Sequence, residues 1–307
     1  MKIVITGGLG FIGSHITEKL VSEGHSVSVI SLKNEIPPVL SSTKGIIVHQ
    51  GDYGDRFLLK NVISKADIVI HAACTTVPEN STLNPVFDIQ TNVIPTLQLL
   101  ESCREEKVKK IIFLSSGGVV YGQAKNIPIT ENEAISPISS YGISKATIEN
   151  YFRLYTHLYG IDHCILRIAN AYGPGQLQAR NQGVIGAWLY KIKNNLPVEI
   201  WGDGQIVRDY IFVSDIARAV SIAIEKNITG TCNLGTGRGV SLNELITIIN
   251  TILHKNIQPV YREKRGFDVP ANILNASKFN SLSGWKPGIS LEEGIKITFA
   301  SQKPTSV

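Results

Sequence analysis

Short apolar runs of strand length alternate with longer helical patterns through the first half of the chain. The apolar runs are KIVIT, HSVSVIS, GIIVHQ, DIVIHAA, KKIIFLSS and HCILRIA. Helices are predicted from about Phe11 to Ser22, Val86 to Glu106 and Ser139 to Tyr159. Because continuous apolar strands that alternate with helices form parallel sheets covered on both faces, the pattern predicts a doubly wound α/β fold.

The pattern changes beyond Asn170. Gly, Pro, Asn and Gln become frequent in the segment AYGPGQLQARNQG, and the elements that follow are shorter. We therefore predict a main domain over 1–169 and a smaller, irregular α/β domain over 170–307 that closes over the carboxyl edge of the sheet. The segment DYIFVSDIARAVSIAIE indicates that the chain returns to the main domain over about 209–236.

Composition restricts the class of function. Of the 307 residues, 43% are apolar and 18% are charged, which is typical of a compact folded protein. The net charge of +5 is not gathered into basic runs, so it suits anionic small molecules and argues against nucleic-acid binding. Four cysteines without metal-like spacing predict reduced thiols and no metal site. We expect a cytoplasmic protein with no membrane span, because no apolar run reaches roughly 18 residues.

A glycine-rich turn follows the first strand. In ITGGLGFIGSH, Gly7, Gly10 and Gly13 lie between that strand and the first predicted helix. Glycine there permits a tight turn and a close approach of the backbone to a pyrophosphate, while the helix N-terminus supplies free amides. This context predicts a Rossmann-type dinucleotide-binding domain over 1–169, although the GxxGxxG spacing differs from the GxGxxG of ordinary dehydrogenases.

The residue that ends the second strand bears on the choice of dinucleotide. An acidic side chain at this point would bind the ribose hydroxyls of NAD, but the strand ends at Ser31, which carries no charge. Lys33 and Asn34 would tolerate a 2′-phosphate, whereas Glu35 would reach a ribose hydroxyl. The residues therefore leave NAD and NADP both open.

A tyrosine and a lysine lie four residues apart in SYGISKATIENYF. Tyr141 and Lys145 share one face of a predicted helix. A phenol is a poor base at neutral pH, but a neighbouring ammonium, and a bound oxidised nicotinamide, favour its phenolate. An isolated YxxxK would be an ordinary surface pair, yet the glycine turn and the strand end SSGG between them favour a catalytic pair.

Motifs that occur in order along the chain resemble those of a known family. They are TGGLGFIGSH, QGD, HAA, QTNV, SSGGVVYG, YGISK, RIANAYGP, WGDGQIVRDYIFVSDIA and RGFDVPA. The chain resembles an extended short-chain dehydrogenase/reductase of the nucleotide-sugar epimerase/dehydratase family, and it is most similar to UDP-hexose 4-epimerases. The resemblance implies bound NAD, a UDP-sugar substrate and a homodimer that pairs through the long helices predicted at 86–106 and 139–159.

The resemblance also implies which residues hold the cofactor. Asp52 and Tyr53 would lie beside the adenine, and Ala72 and Ala73 beside the pyrophosphate and the nicotinamide. Asn92 has an equal alternative as a buried polar group that holds the sheet edge. The full predicted set is Gly7, Gly10, Phe11, Ile12, Gly13, Ser31, Asp52, Tyr53, Ala72, Ala73, Asn92, Tyr141 and Lys145.

The strand end SSGGVVYG departs from the family pattern. A typical 4-epimerase has a serine or threonine four residues before the tyrosine of VYG, where it hydrogen-bonds the reacting sugar oxygen, but this chain has Gly117. We assign that role to Ser116, because two glycines at a strand end let the backbone re-aim the neighbouring hydroxyl. Sugar dehydratases carry an Asp-Glu pair where this chain has Gly118 and Val119, so dehydration is not expected.

The second half supplies residues that the resemblance places around the substrate. Arginine suits the diphosphate because its planar donors pair bidentately with phosphate oxygens. The predicted set is Asn170 at the phosphate, Glu199 and Trp201 around the uracil, Arg208 and Arg265 at the diphosphate, Asp268 at the ribose, and Asn272 at the sugar. Because Asn272 replaces the bulky tyrosine of glucose-specific epimerases, N-acetylhexosamines and uronic acids join glucose and galactose as candidate sugars.

Together these residues predict a nucleotide-sugar 4-epimerase with Tyr141, Lys145 and Ser116 as its catalytic residues. Tyr141 would take the proton of the sugar 4-hydroxyl, Ser116 would stabilise the charge on O4, and the transient 4-keto sugar would rotate before its reduction. Two alternatives stay open. One is an NADPH-dependent reductase of 4-keto sugars, which the uncharged Ser31 would suit. The other is a non-catalytic dinucleotide sensor, against which the retained tyrosine and lysine argue.

Overall fold

A seven-stranded sheet forms the centre of the molecule. The computed structural model describes residues 1–176, 183–263 and 269–302. All strands of the sheet run parallel, in the order β10-β6-β5-β4-β1-β2-β3. These strands are β1 Lys2–Thr6, β2 Ser26–Ser31, β3 Ile46–Gln50, β4 Ile68–His71, β5 Lys110–Ser116, β6 Asp162–Ile168 and β10 Gly230–Leu234.

Helices cover both faces of this sheet. Side chains alternate along each strand, so in β5 Phe113 packs into the core on one face and Leu114 into the core on the other. The helices packed on the sheet are α1 Phe11–Ser22, α2 Arg56–Ile63, α5 Ile94–Glu105, α6 Ser140–Tyr159 and α8 Val213–Glu225. Two short helices, α3 Pro78–Leu83 and α4 Pro85–Asp88, pack against α6. Because both faces are buried, the strands read as continuous apolar runs in the sequence.

The long helix predicted over 86–106 contains one wider, π-helical turn. A five-residue π-helical segment, Ile89–Val93, separates α4 from α5. Pro95 lies in the first turn of α5, and a proline has no amide hydrogen and its ring clashes with the carbonyl one turn earlier. The chain is therefore helical throughout 85–105, in agreement with the prediction, with one wider turn in which Asn92 is buried.

Shorter elements form the remainder of the described chain. Strand β9 pairs with β7, β11 and β13 in a small sheet, and β8 pairs with β12. The elements are β7 Asn170–Tyr172, α7 Val184–Lys193, β8 Glu199–Trp201, β9 Val207–Phe212, β11 Gly239–Ser241, α9 Leu242–Leu253, β12 Val260–Arg262, β13 Ala271–Asn272, α10 Ser277–Ser283 and α11 Leu291–Ser301. Helices α7, α9 and α11 pack with β8 and β9 around a third apolar core. Among the described helices none is long and apolar enough to cross a membrane.

The strand order places several loops at one edge of the main sheet. The chain moves outward from β1 in both directions, to β2 and β3 on one side and to β4 and β5 on the other. At such a reversal point the loops after neighbouring parallel strands separate and leave a crevice at their carboxyl ends. The glycine turn after β1, the Ala72–Ala73 segment after β4 and Ser116 at the end of β5 therefore come to the same edge.

Candidate active site

The glycine turn after β1 has no room for larger side chains. Gly7 adopts a left-handed backbone with φ +72°, and a Cβ atom added there would lie 2.7 Å from the Cα of Ala73. A Cβ on Gly13 would lie 2.1 Å from the carbonyl oxygen of Gly7. Gly10 precedes α1 and no side chain caps the helix, which begins with Phe11 and Ile12. The helix N-terminus and the close-packed turn fit the pyrophosphate of a dinucleotide.

The adenosine end of the predicted cofactor site is built on β2 and β3. The amide of Gly51 donates to the carbonyl of Ser31 over 2.9 Å, and the Ser31 hydroxyl accepts from the amide of Lys33 at 3.3 Å. Asp52 is exposed and accepts from the amide of Gly54 at 2.7 Å. No acidic side chain ends β2, so the structure leaves Ser31 as the residue at the position where an acid binds ribose.

Tyr53 and Asn92 are buried, and their side chains form hydrogen bonds within the protein. The hydroxyl of Tyr53 donates to the carbonyl of Thr91 at 3.0 Å, and burial raises the pKa of this phenol. The Asn92 side chain accepts from the amide of Thr75 at 3.0 Å and donates to the carboxylate of Asp88 at 3.0 Å. This arrangement matches the alternative for Asn92, a buried polar group that holds the edge of the sheet.

Helix α6 places the predicted catalytic pair at the same edge. The Ser139 hydroxyl accepts from the amide of Gly142 and caps the helix. The Lys145 ammonium is buried, donates to the carbonyl of Leu114 at 3.1 Å, and lies 4.7 Å from the ring centroid of Phe113. It lies 5.6 Å from the ring centroid of Tyr141. The four-residue spacing thus brings tyrosine and lysine together beside the end of β5.

A small cavity lies beside Tyr141. Its lining is formed by His71, Ala73, Cys74, Asp88, Asn92, Tyr141, Ser144, Lys145 and Ile148. Burial raises the pKa of Tyr141 well above its ordinary value, and the neighbouring Cys74 and Asp88 act in the same direction. Burial lowers the pKa of His71 to about 3, so this imidazole is neutral. These surroundings therefore favour the protonated form of Tyr141, and positive charge near the phenol would favour its phenolate.

The two serines at the end of β5 have different surroundings. The Ser115 hydroxyl is buried and donates to the carboxylate of Glu149 over 2.6 Å. Ser116 is only partly buried, and its hydroxyl has no hydrogen-bond partner among the residues that the structure describes. Because the Ser115 hydroxyl already bonds the buried Glu149 carboxylate, Ser116 has the hydroxyl that remains available to a ligand at this edge.

Gly117 could not carry the family's hydroxyl without rearrangement. A Cβ atom there would lie 2.5 Å from the Cδ1 of Leu274 and 3.3 Å from the carbonyl oxygen of Arg167. The amide of Gly117 donates to the carbonyl of Ile168 at 3.0 Å. Interior atoms thus fill the space that a side chain at this position would need.

The predicted substrate residues are distributed over the small sheets. Asn170 donates to the carbonyl of Asp209 at 3.0 Å, and Arg208 donates to the carbonyl of Val269 at 2.8 Å. Glu199 pairs with Lys191 and Arg262, and Trp201, at the end of β8, is partly exposed. Arg265 and Asp268 lie outside the described residues.

Asn272 was predicted to contact the sugar, but it lies in the interior rather than at the surface of a cleft. It is fully buried, and its amide group donates to the carbonyl of Gly117 at 3.0 Å. Its side-chain oxygen has no hydrogen-bond partner among the described residues. Asn272 therefore supports the turn that follows Ser116, and one acceptor remains in the interior beside that turn.

A family model described as the NAD dependent epimerase/dehydratase family matches residues 3–235. The chain belongs to this family. The expectation of an NAD-dependent epimerase of the extended short-chain dehydrogenase/reductase type, with a Rossmann-type α/β fold, is confirmed. So is NAD as the cofactor.

Its relatives are similar over nearly the full chain. A UDP-glucose 4-epimerase from Mycolicibacterium smegmatis is 32% identical over 311 residues, which cover 97% of each chain. The structure of a UDP-glucose 4-epimerase from Thermotoga maritima with UDP-glucose has a TM-score of 0.93 at 36% identity and 98% coverage of both chains. A UDP-N-acetylglucosamine 4-epimerase from Methanobrevibacter ruminantium, in complex with UDP-N-acetylmuramic acid, has a TM-score of 0.92 at 31% identity, covering 98% of this chain and 97% of that one.

Sequence analysis missed a buried ion pair that supports the site of this epimerase-family protein. Arg167 of β6 and Glu149 of α6 are almost fully buried and pair at 2.6 Å. Glu149 also accepts from Ser115, and Arg167 donates to the hydroxyl of Tyr121 at 2.8 Å. Both ends of the segment that contains Ser116 are therefore attached to one ion pair. An arginine within the apolar strand HCILRIA was the available signal, because buried charges require partners.

Proposed function

We propose that the protein is an NAD-dependent 4-epimerase of UDP-hexoses. The observation that carries this proposal is the position of Tyr141 and Lys145 on one face of α6, beside the end of β5. The similarity to UDP-sugar 4-epimerases supports the reaction type.

Tyr141 is the base of the proposed reaction. It takes the proton of the sugar 4-hydroxyl. Bound NAD would supply the hydride chemistry at C4. Because burial raises the pKa of Tyr141, the phenol needs nearby positive charge to become a base. Lys145 supplies one such charge, at 5.6 Å from the ring centroid. This dependence would make proton removal efficient only when the cofactor is present.

Ser116 donates to the sugar O4 in the proposed reaction. Its hydroxyl stabilises the negative charge that develops on O4 as the proton leaves. The 4-keto sugar then rotates within the site, while arginines hold the nucleotide diphosphate, and it is reduced on its opposite face. Arg208 is the described candidate for this diphosphate contact, with its guanidinium donating to Val269 at the edge of β9.

The sugar is proposed to include hexoses larger than glucose and galactose. Asn272 stands where glucose-specific epimerases have a tyrosine, and its smaller side chain bonds the Gly117 carbonyl rather than filling the cleft. Similar proteins include a UDP-N-acetylglucosamine 4-epimerase and a UDP-glucuronate 4-epimerase, which supports sugars with a 2-acetamido group or a C6 carboxylate. We therefore include UDP-N-acetylhexosamines and UDP-uronic acids among the substrates to test.

Proton NMR of the anomeric signals tests the function. Purified protein is mixed with UDP-glucose, UDP-N-acetylglucosamine or UDP-glucuronic acid, first without added cofactor and then with NAD. We expect the 4-epimer to form from at least one of them, and Tyr141→Phe to abolish its formation. If no sugar changes, the epimerase proposal fails, and consumption of NADPH with a 4-keto sugar would establish a reductase instead.

We also propose a homodimer. Exposed apolar side chains follow one face of α6, at Ile143, Leu154 and Leu158, and others lie on α4 and α5, at Phe87 and Ile94. Covering such a face with the same face of a second copy would remove it from water. Sedimentation should give twice the monomer mass, and Leu154→Lys combined with Leu158→Lys should yield monomers. A monomeric wild-type protein at micromolar concentration would contradict the proposal.

A further inference from the structure

Asp88 is a buried carboxylate that the proposed reaction does not use. It ends α4, has no exposed surface, and lines the cavity that contains Tyr141 and Lys145. A carboxylate removed from water is costly unless hydrogen bonds replace its hydration. A charge placed here, beside the proposed base, therefore requires an explanation.

Four side-chain groups satisfy this carboxylate. One oxygen accepts from the hydroxyls of Ser140, at 3.0 Å, and Ser144, at 2.6 Å. The other accepts from the amide group of Asn92 at 3.0 Å and from the hydroxyl of Thr76. All four donors are neutral, and Asp88 forms no ion pair within residues 1–176, 183–263 and 269–302. Its charge is therefore solvated by dipoles rather than cancelled by a cation.

Two of these donors lie in the part of α6 that carries Tyr141 and Lys145, which we call the catalytic turn. Ser140 directly precedes Tyr141 in α6, and Ser144 directly precedes Lys145. The carboxylate consequently attaches that turn of α6 to α4 and to the loop after β4. The amide of Tyr141 also donates to the Ser81 hydroxyl of α3 at 3.0 Å. Hydrogen bonds with α3 and α4 therefore fix the position of Tyr141.

The charged and titratable groups around Tyr141 come from three places. Lys145 lies on the same helix, His71 and Cys74 come from the end of β4 and the loop after it, and Asp88 comes from α4. His71 is neutral because burial lowers its pKa to about 3. Asp88 is therefore the carboxylate that faces the phenol, and its charge opposes a second negative charge on Tyr141.

We propose that Asp88 is a positioning residue that anchors the Tyr141–Lys145 turn and sets the pH range in which Tyr141 accepts the substrate proton. The inference rests on the proposed epimerase function. The Asp88 carboxylate favours the protonated phenol of Tyr141 until the positive charge of the bound cofactor is present. Removal of the carboxylate should therefore let the phenolate form at lower pH, while loss of an anchor alone should leave that pH unchanged.

The pH dependence of kcat for Asp88→Asn tests this inference. We expect the acid limb of the profile to move to lower pH by about one unit, the size of effect that a neighbouring like charge produces. The plateau value of kcat should fall several-fold, with KM little changed. The control is Asp215→Asn, another buried carboxylate, which accepts from the amides of Gly288 and Ile289 beside α8. Its profile should keep the wild-type acid limb.

Ser144→Ala separates position from charge and remains informative if Asp88→Asn does not fold. It removes one donor and leaves the carboxylate, so kcat should fall several-fold while the acid limb stays in place. An unmoved limb in Asp88→Asn, or full kcat in Ser144→Ala, would overturn the inference while wild-type epimerisation stands. A wild-type protein that epimerises no sugar would overturn the proposed function itself, and this inference with it.

Discussion

Two turns at the same edge of the sheet contain glycines, but side chains are excluded from the two turns for opposite reasons. In the turn after β1, Gly7 and Gly13 keep the backbone compact so that a ligand can approach it. In the turn after β5, the space beside Gly117 is filled by Leu274 of the protein itself. The first turn leaves its backbone open to a cofactor, whereas the second is shaped by the core, and we propose that Ser116 makes the ligand contact there.

The largest expected effect comes from the first turn. In Gly13→Ala the new methyl group would overlap the carbonyl oxygen of Gly7, which lies 2.1 Å from the Cβ position. The turn must open, and we expect NAD affinity to fall by at least about 100-fold, corresponding to roughly 3 kcal/mol. NAD released from denatured protein and titration of the cofactor-free variant would measure this loss. Retention of NAD at the wild-type level would contradict a ligand-shaped turn.

The two serines of β5 should separate catalysis from stability. Ser116→Ala should lower kcat by about 100-fold, since one donor to a developing oxyanion is worth on the order of 3 kcal/mol. Ser115→Ala should mainly destabilise the fold, by about 1–2 kcal/mol, because the buried Glu149 carboxylate loses a donor. Epimerisation rates and urea unfolding of both variants provide the comparison. A catalytic loss in Ser115→Ala larger than in Ser116→Ala would reverse the assignment.

Restoring the family's hydroxyl at Gly117 should harm the protein. Gly117→Ser forces a side chain against Leu274, and overpacking of this kind costs about 1–3 kcal/mol. In Leu274→Ala, which creates space, the same serine should cost less, so a double-mutant cycle of urea unfolding should show favourable coupling. Gly118→Ala serves as the matched control, because its Cβ would meet no atom closer than 3.7 Å. Equal costs for serine in both backgrounds would show that Leu274 is not the obstacle.

His71 lies on β4, between the two turns, and should make stability depend on pH. It bonds Thr6 at 2.7 Å and Thr96 at 2.9 Å. Its pKa is about 3 in the fold and about 6.5 when unfolded, so between these values the unfolded state binds more protons. Its contribution is therefore constant above pH 6.5 and declines as pH falls, by up to about 2 kcal/mol at pH 5. Urea unfolding at pH 7 and pH 5 should show a smaller decline in His71→Gln than in the wild type.

The sequence by itself determined the α/β class, the glycine turn between β1 and α1, and the position of tyrosine and lysine on one helix. Each of these depends on local pattern: the apolar runs of buried strands, glycines between a strand and a helix, and a four-residue spacing on one helix. The family and its cofactor followed from the same motifs. Such patterns can be recognised in the sequence because each depends only on residues that lie close together along the chain.

Only the tertiary structure decided which of those side chains are available to a ligand. Ser115 and Ser116 are equivalent in the sequence, but Glu149, from a distant helix, engages one of them. Asn272 was expected at the sugar, and the fold buries it against Gly117, 155 residues away along the chain. Asp88 hydrogen-bonds Ser140 and Ser144 of α6, which lie 52 and 56 residues away along the chain. Such contacts depend on packing between distant segments, and the shape and charge of that packing do not appear in any short stretch of residues.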